Sequence, residues 1–352
     1  MTVDIGRVVR DVTRASAAVR ARVATGRGGE VVTRAAAHLR QPGRRNRALA
    51  LVASLALLLL VPADLSRTAA TFVPLRQPFR GAELFVDPDT AAARWQAAHG
   101  ARWLDPITRH PQARWVNGPT DIAPAAAAVR RAHQQGRLPV LVVYHVPNRD
   151  CAGPGAGAAS AADYDRFIGE LIAALGPQPA AIVVEPDAVA ADCFTSDRAR
   201  LLTRTVQRLA HAGHHVYLDA GHPNWRPVGE MVDRLLTAGI AGAEGFSVNV
   251  ANRQTTQDSY EWARTLSDQL GGREFVIDTS RNGVGPPPGH EWCNPRHEAL
   301  GEPPTTDVDR PGLAALLWIK PPGESDGTCG GKNGHFFSPD LARRLVRNGS
   351  GD

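Results

Sequence analysis

The stretch AAIVVEPD (180–187) decides the fold class of this 352-residue chain, because a fully apolar run ends there in acidic residues. Three more runs end in the same way: LPVLVVYHVPNRD (138–150), HHVYLDAG (214–221) and LAALLWIKPPGESD (313–326). Short runs without polar alternation are typical of strands buried on both faces, as in a parallel sheet. Parallel strands bring their carboxyl ends to one edge, so we expect four aspartates to gather there. They are Asp150, Asp187, Asp219 and Asp326.

Helical patterns separate the apolar runs from about Gly81 onward. The predicted strands are Arg114–Asn117, Val140–Tyr144, Ile182–Val184, Val216–Leu218, Gly245–Val250, Phe275–Asp278 and Leu313–Lys320. The predicted helices are Ala123–Gln135, Ala161–Leu175 with Ser160 as N-cap, Asp197–Ala212, Pro227–Ala238, Gln257–Leu270 and Pro339–Val346. This alternation predicts an α/β fold, a distorted, closed or nearly closed (β/α) barrel of about seven parallel strands, similar to a TIM barrel.

The positive charge of the chain is concentrated at its start. The net charge is +5, and residues 1–47 contain eleven arginines against three acidic residues, so the rest of the chain is slightly acidic. Nucleic-acid binding requires a basic surface on the domain that binds. We therefore expect no nucleic-acid partner for the main domain.

An apolar segment, Ala48–Val61, follows the arginine-rich tail. It is shorter than the ~20 residues of a membrane-spanning helix but typical of the hydrophobic region of a signal peptide. Two interpretations stay open: cleavage after Val61-Pro62-Ala63, or an uncleaved signal anchor inserted in the membrane. Both predict an extracellular or cell-surface domain. The chain then divides into a tail (1–47), a signal or anchor segment (48–63), a linker (64–80) and a main domain (81–348).

All four cysteines lie beyond the leader, at Cys151, Cys193, Cys293 and Cys329. An even number in an exported domain indicates two disulfides, for which three pairings are possible. Their order along the chain favours 151–193 with 293–329. Each bond would close a loop of about forty residues and stabilise the domain by ~4 kcal/mol through chain entropy.

The gathered aspartates favour acid–base chemistry over nucleophilic chemistry. Each one alone is also explained as a helix cap, a turn residue or a surface ion pair. Together they suit glycoside hydrolysis, which needs one protonated carboxyl group and a second that activates water. Divalent-metal binding together with His222, His290 or His335 is the alternative, but these histidines lack ligand spacing. We expect neither a metal nor a cofactor.

Four tryptophans are expected near the same edge of the sheet: Trp115, Trp225, Trp292 and Trp318. A flat indole face can stack on the apolar face of a sugar ring. Trp318 lies within a predicted strand, and we expect it to be a structural residue.

Six motifs resemble glycoside hydrolase family 6, the inverting cellulases, in the order that the family has. They are VVYHVPNRDC (142–151), IVVEPDAVA (182–190), YLDAGHPNW (217–225), VIDTSRNG (276–283), EWCNP (291–295) and LWIKPPGESDGTC (317–329). The resemblance covers residues 82–346. It implies a distorted barrel of about seven strands, two disulfides paired as above, and hydrolysis of β-1,4-glucan with inversion.

The resemblance also implies roles for single residues. Asp187 matches the proton donor, and Asp150 matches the aspartate that raises the donor's pKa and relays a proton from water. Asp326 matches a proposed base, Asp219 another site carboxylate, and Tyr144 a tyrosine beneath the distorted sugar. The expected substrate-binding residues are Trp115, Trp225, Asn249, Trp292, Lys320 and Glu324.

The loop after Cys151, AGPGAGAASAADY (152–164), departs from the family pattern because Ser160 is its only hydroxyl residue before Tyr164. The spans between the paired cysteines are short, as in family members with open clefts. We therefore expect a monomeric, secreted or membrane-anchored endo-β-1,4-glucanase that acts on glucan poly- or oligosaccharides. The alternatives are a cellobiohydrolase of the same family and an inactive carbohydrate-binding surface protein.

Overall fold

The structure, a computed structural model, describes residues 77–152, 156–327 and 336–349. The predicted tail and signal or anchor segment, and most of the linker, lie outside these residues. The described residues all belong to one unit, Thr71–Asp352. Within the described part of the chain, no helix has the length and apolarity needed to cross a membrane.

Seven parallel strands form a single sheet in which every strand pairs with its neighbours in sequence. They are β1 (Arg114–Val116), β2 (Val140–Val143), β3 (Ala181–Val184), β4 (His215–Asp219), β5 (Gly245–Val248), β6 (Glu274–Asp278) and β7 (Leu313–Leu317). The sheet is curled, and one backbone hydrogen bond links the segments that flank its two edge strands. The backbone N–H of Ala113, before β1, donates to the carbonyl of Trp318, after β7, over 3.0 Å. The predicted α/β fold, a distorted barrel of about seven parallel strands, is confirmed.

Eight α-helices accompany the sheet in the described part of the chain. They are α1 (Ala91–His99), α2 (Asp105–Thr108), α3 (Ile122–Gln134), α4 (Ala161–Leu175), α5 (Ser196–His211), α6 (Val228–Thr237), α7 (Thr256–Gln269) and α8 (Pro339–Gly349). Single 3₁₀ turns lie at Arg102–Leu104, Pro119–Asp121, Arg149–Cys151, Ile240–Gly242 and Pro288–His290. Helices α3 to α7 each connect two successive strands, which is the connection that parallel strands require.

In most of the strands, alternate residues contribute to two different apolar layers. In β3, Ile182 and Val184 pack in the large cluster that includes the helices. Val183 packs instead in a smaller cluster inside the curled sheet, with Val142 and Tyr217. Both faces of the sheet are therefore buried, which explains why its strands are apolar throughout.

The ends of the elements follow local signals in the sequence. The Ser160 hydroxyl accepts a hydrogen bond from the Asp163 N–H over 3.1 Å, and α4 starts at the next residue. This is the N-cap that the sequence predicted. The last strand is shorter than predicted, since β7 ends at Leu317 and not at Lys320. Helices α1 and α2 were not predicted.

Candidate active site

A sharp turn at Glu185-Pro186-Asp187 leads the chain out of β3. Glu185 and Asp187 both adopt left-handed backbone angles, with φ of 50° and 70°. The buried Glu185 carboxylate accepts hydrogen bonds from the backbone N–H groups of His145 and Val146, each at 3.0 Å. Glu185 thereby ties the carboxyl ends of β2 and β3 together and leaves Asp187, which is only partly buried, at the mouth of the sheet.

Asp219 is the last residue of β4 and is completely buried. Its carboxylate accepts hydrogen bonds from the Asp187 N–H at 2.8 Å, the Gly221 N–H at 2.9 Å and the Ser247 hydroxyl at 2.8 Å. Burial raises the pKa of Asp219 to about 7, although the three hydrogen bonds act in the opposite direction. Asp219 therefore fixes the backbone at Asp187 and places a carboxyl group beside it.

The surroundings of Asp187 favour its protonated form. Burial raises its pKa well above the ordinary value, and the neighbouring carboxylates Asp219 and Asp150 raise it further. The Arg281 guanidinium opposes this shift without cancelling it. A carboxyl group whose pKa is raised in this way, and which lies at the mouth of a barrel, can act as a general acid.

Asp150 lies beside Tyr144 in the loop after β2. The Tyr144 hydroxyl donates a hydrogen bond to the Asp150 carboxylate, and the side chain of Asp150 is 44% exposed. The Arg149 guanidinium lies 4.3 Å from the centre of the Tyr144 ring and 3.6 Å from the Asp150 carboxylate. Burial and the charges of Asp150 and Asp187 raise the pKa of Tyr144, which therefore stays a hydrogen-bond donor.

Two attachments hold the loop that carries Asp150. Cys151 and Cys193 form a disulfide with Cα atoms 5.7 Å apart, which is the pairing that their order suggested. The buried Arg198 side chain donates to the carbonyls of Pro147, at 3.0 Å, and Asn148, at 2.8 Å. The position of Asp150 thus depends on contacts with the segment after β3 and with α5.

Asp326 is tightly bound to arginines, nine residues after the end of β7. Arg281 pairs with both of its carboxylate oxygens, at 2.8 and 3.1 Å, and Arg253 adds a contact at 3.2 Å. The Asn294 N–H also donates to it, at 3.0 Å. Burial alone would raise the pKa of Asp326, but Arg281, Lys320 and Arg253 outweigh it and hold the pKa well below the usual range. This carboxylate is ionised and a weak base.

Three of the predicted sugar-contacting residues lie together at the junction of the sheet edges. The Trp115 indole N–H donates to the Ile319 carbonyl at 2.7 Å, and its ring packs edge-on against Tyr144. The ammonium group of Lys320 lies 5.4 Å from the centre of the Trp115 ring. Burial lowers the pKa of Lys320 to about 8 and raises that of Glu324, so the two groups share a desolvated environment.

The other predicted sugar-contacting residues differ in exposure. Trp292 is 63% exposed, whereas Trp225 is half-buried and stacks on His222 with ring centres 5.1 Å apart. Asn249 is buried, and its amide group bonds the Gln254 N–H, the Gln254 carbonyl and the Asp278 carbonyl. These contacts hold the loop after β5 together, and a contact of Asn249 with sugar stays a prediction. Trp318 is buried and donates to the Glu302 carbonyl, as expected of a structural residue.

Residues 79–340 match the model of the glycosyl hydrolases family 6. The chain belongs to this family. It is 42% identical to endoglucanase A of Cellulomonas fimi over 77% of this chain, and 40% identical to endoglucanase A of Thermobispora bispora over 75%. It spans 62% of the length of each of these two relatives. Endoglucanase 1 of Streptomyces halstedii is 36% identical over 74% of this chain and 88% of its own length.

Solved structures of family 6 proteins share the fold. The endoglucanase Cel6 from Mycobacterium tuberculosis, in complex with methyl-cellobiosyl-4-deoxy-4-thio-β-D-cellobioside, is 37% identical with a TM-score of 0.73. The match covers 79% of this chain and all of that one. The catalytic core of the cellobiohydrolase Cel6A from Chaetomium thermophilum has a TM-score of 0.66 at 22% identity, over 78% and 98% of the two chains. At that identity the likeness concerns the fold alone.

Several buried residues that shape this family 6 site were not predicted. Asp278, at the end of β6, accepts hydrogen bonds from four backbone N–H groups in the loops after β5, β6 and β7. Its position at a strand end is the signal that also identified Asp187 and Asp219. Arg253 and Arg281 carried no comparable signal, because they reach Asp326 from loops distant in sequence.

Only one of the two cysteines of the second predicted disulfide lies within the described residues. Cys293 is disulfide-bonded, but Cys329 lies outside the described residues, so the pairing 293–329 stays a prediction. In the described segments, no three His, Cys, Asp or Glu side chains are arranged to hold a metal ion. His335 is also outside the described residues.

Proposed function

We propose that this chain is an endo-β-1,4-glucanase that hydrolyses cellulose-type glucan with inversion at the anomeric carbon. The observation that carries the proposal is the environment of Asp187, a partly buried carboxyl group whose pKa is raised by burial and by Asp219 and Asp150. The family supports the reaction class. Three relatives at 36 to 42% identity, all named endoglucanases, support the endo mode of action.

In the proposed reaction Asp187 gives its proton to the glycosidic oxygen as the bond from that oxygen to the anomeric carbon breaks. A water molecule attacks the same carbon from the opposite face and loses a proton to a second carboxylate. The new hydroxyl group then has the inverted configuration. Asp187 regains a proton from solvent before the next cycle.

The geometry favours Asp150 over Asp326 as the group that takes the proton from water. Asp326 is bound by two arginines and has a strongly lowered pKa, so it has little tendency to accept a proton. The Asp150 side chain is 44% exposed. Among the contacts described above, it accepts one hydrogen bond, from the Tyr144 hydroxyl, and lies 3.6 Å from one nitrogen of Arg149. We therefore assign Asp326 to electrostatic stabilisation and Asp150 to proton transfer.

The glucan-binding residues in this proposal are Trp115, Trp225, Trp292, Lys320 and Glu324, with Tyr144 beneath the reacting sugar. The Cys151–Cys193 disulfide supports export to an oxidising compartment, since such bonds are rare in the cytosol. We propose that residues 48–63 direct this export, with or without cleavage. We propose that the protein acts as a monomer.

Hydrolysis of carboxymethyl-cellulose by the exported protein and by its Asp187→Asn variant tests the proposal. We expect the wild type to lower the viscosity steeply per reducing end released, and the variant to lose ~10²–10⁴-fold in kcat. Release of cellobiose with little change in viscosity would indicate a cellobiohydrolase. Glucan binding without any hydrolysis by the wild type would indicate a carbohydrate-binding protein and would contradict the proposal.

A further inference from the structure

Arg253, in the loop between β5 and α7, donates hydrogen bonds to three residues in two other segments of the chain. Its guanidinium is 3% exposed and donates to the Asp326 carboxylate at 3.2 Å, to the Glu298 carboxylate at 3.0 and 3.1 Å, and to the Trp292 carbonyl at 2.8 Å. Trp292 and Glu298 both belong to the long segment between β6 and β7, whereas Asp326 follows β7. One side chain therefore joins both segments to the loop after β5.

Glu298 is the buried counter-ion of this arginine. It is completely buried, and only its Oε2 atom bonds Arg253, while Oε1 has no hydrogen-bond partner in the described part of the chain. A buried ion pair is in general weak evidence for stability, so a functional role for this pair is worth testing.

The contact with Trp292 gives the arrangement a consequence for substrate. The Trp292 side chain is 63% exposed, so its ring is available to a ligand while Arg253 fixes its backbone carbonyl. Asn294 lies two residues after Trp292, and its backbone N–H donates to the Asp326 carboxylate at 3.0 Å. The segment that carries Trp292 is therefore also bonded directly to this carboxylate. Arg253 and Asp326 thus determine where an exposed aromatic ring lies relative to the acids of the site.

We propose that Arg253 is a positioning residue for glucan binding, which holds the segment bearing Trp292 against Asp326, with Glu298 as its counter-ion. This inference rests on the proposed function. It assigns to Arg253 no contact with substrate; its effect on binding passes through the position of the Trp292 ring. Lysine at this position would keep the charge but lacks the planar fork that reaches three acceptors at once.

The Arg253→Lys variant tests this role, and Arg273→Lys is its matched control. Arg273 is 2% exposed and donates to the Ala241 and Ala243 carbonyls, but it lies before β6, at the opposite end of the strands. We expect R253K to raise KM for a β-1,4-linked glucose hexamer about tenfold, the loss expected when the Trp292 ring no longer stacks well on a sugar. We expect R273K to lower Tm about as much as R253K lowers it. Unlike R253K, it should leave KM unchanged.

A double-mutant cycle with Trp292→Ala separates positioning from a general structural role. If Arg253 acts through Trp292, R253K raises KM about tenfold in the wild type and less than about twofold in W292A. An equal rise in both backgrounds would contradict the proposal, and so would an R253K variant with wild-type KM. Thermal unfolding of each variant shows whether the measured protein is folded.

Failure of this inference and failure of the proposed function give different results. A wild-type protein that neither binds nor cleaves the hexamer contradicts the proposed function. A wild-type protein that cleaves it, with equal effects of R253K in both backgrounds, contradicts only the role of Arg253. Calorimetric measurement of hexamer binding in the Asp187→Asn background, with and without R253K and W292A, tests the same coupling without turnover.

Discussion

Removal of the Cys151–Cys193 disulfide, in the variant C151A/C193A, is expected to lower kcat strongly. The free energy of unfolding should fall by less than the loss of the cross-link alone predicts. The bond joins residues 42 positions apart, and the chain-entropy model assigns about 4 kcal/mol to a loop of that length. The conformation that the bond holds is itself strained. Asp150 and Cys151 have φ angles of 59° and 57°, in the left-handed region that costs non-glycine residues ~1 kcal/mol each.

Relaxation of these residues would offset part of the loss. We therefore expect the free energy of unfolding to fall by about 2 kcal/mol and not by the full 4 kcal/mol of the entropy model. The same relaxation moves Asp150 away from Tyr144, so kcat should fall about 100-fold, the lower range for general acid–base assistance. Because Trp292 and Lys320 are not part of this loop, KM should change little.

Urea unfolding followed by tryptophan fluorescence measures the stability change, and steady-state hydrolysis of carboxymethyl-cellulose measures kcat and KM. Asp150→Asn serves as the control, since adding it to C151A/C193A should lower kcat no further than either change alone. A variant that loses about 2 kcal/mol and keeps its wild-type kcat would refute the reasoning that the disulfide positions Asp150.

Three further predictions concern buried charges. His214 is buried without a hydrogen-bond partner for either ring nitrogen, and burial lowers its pKa to about 4. The free energy of unfolding should therefore fall by up to ~3 kcal/mol as the pH drops from 6.5 to 4, and His214→Leu should flatten this slope in urea titrations. Burial raises the pKa of Glu274 to about 7. The stability that its protonated form contributes is therefore complete below pH 4.5 and is lost as the pH rises through 7. Glu274→Gln should remove this pH dependence in thermal melts from pH 4 to 8. Arg281→Met breaks the paired contact with the buried Asp326 and should cost ~3 kcal/mol at pH 7, the low end for such pairs because Arg253 remains; a loss below ~1 kcal/mol would contradict the buried ion pair.

The elements of the fold were predictable where the sequence carries a local signal. Helix α4 begins and ends where expected, because Ser160 caps it and apolar residues follow at helical spacing. Helix α1 was missed because alanines make up most of it, and only Ala92 is buried. The end of β7 was misjudged because Trp318 and Ile319 are apolar and buried although they lie beyond the strand.

The residues of the candidate site were also predictable only where the sequence carries a local signal. Asp187 and Asp219 lie at or just beyond the ends of the paired strands β3 and β4, which brings the Asp187 N–H within hydrogen-bond distance of the Asp219 carboxylate. Asp326 was expected close to a strand end, but it lies nine residues beyond β7, and arginines from two other loops determine its charge state. Contacts of this kind depend on the packing of the whole barrel, which no local pattern encodes.

The central claim is that the pKa of Asp187 lies well above the ordinary value for an aspartate, and a measurement of that pKa is the direct test. Carbon-13 NMR of protein with labelled aspartate side chains can follow this group, with the resonance assigned by its absence from the Asp187→Asn variant. The account predicts that the Asp187 resonance titrates well above the pH at which an ordinary aspartate titrates. Titration near pH 4, the ordinary value for an aspartate, would contradict it.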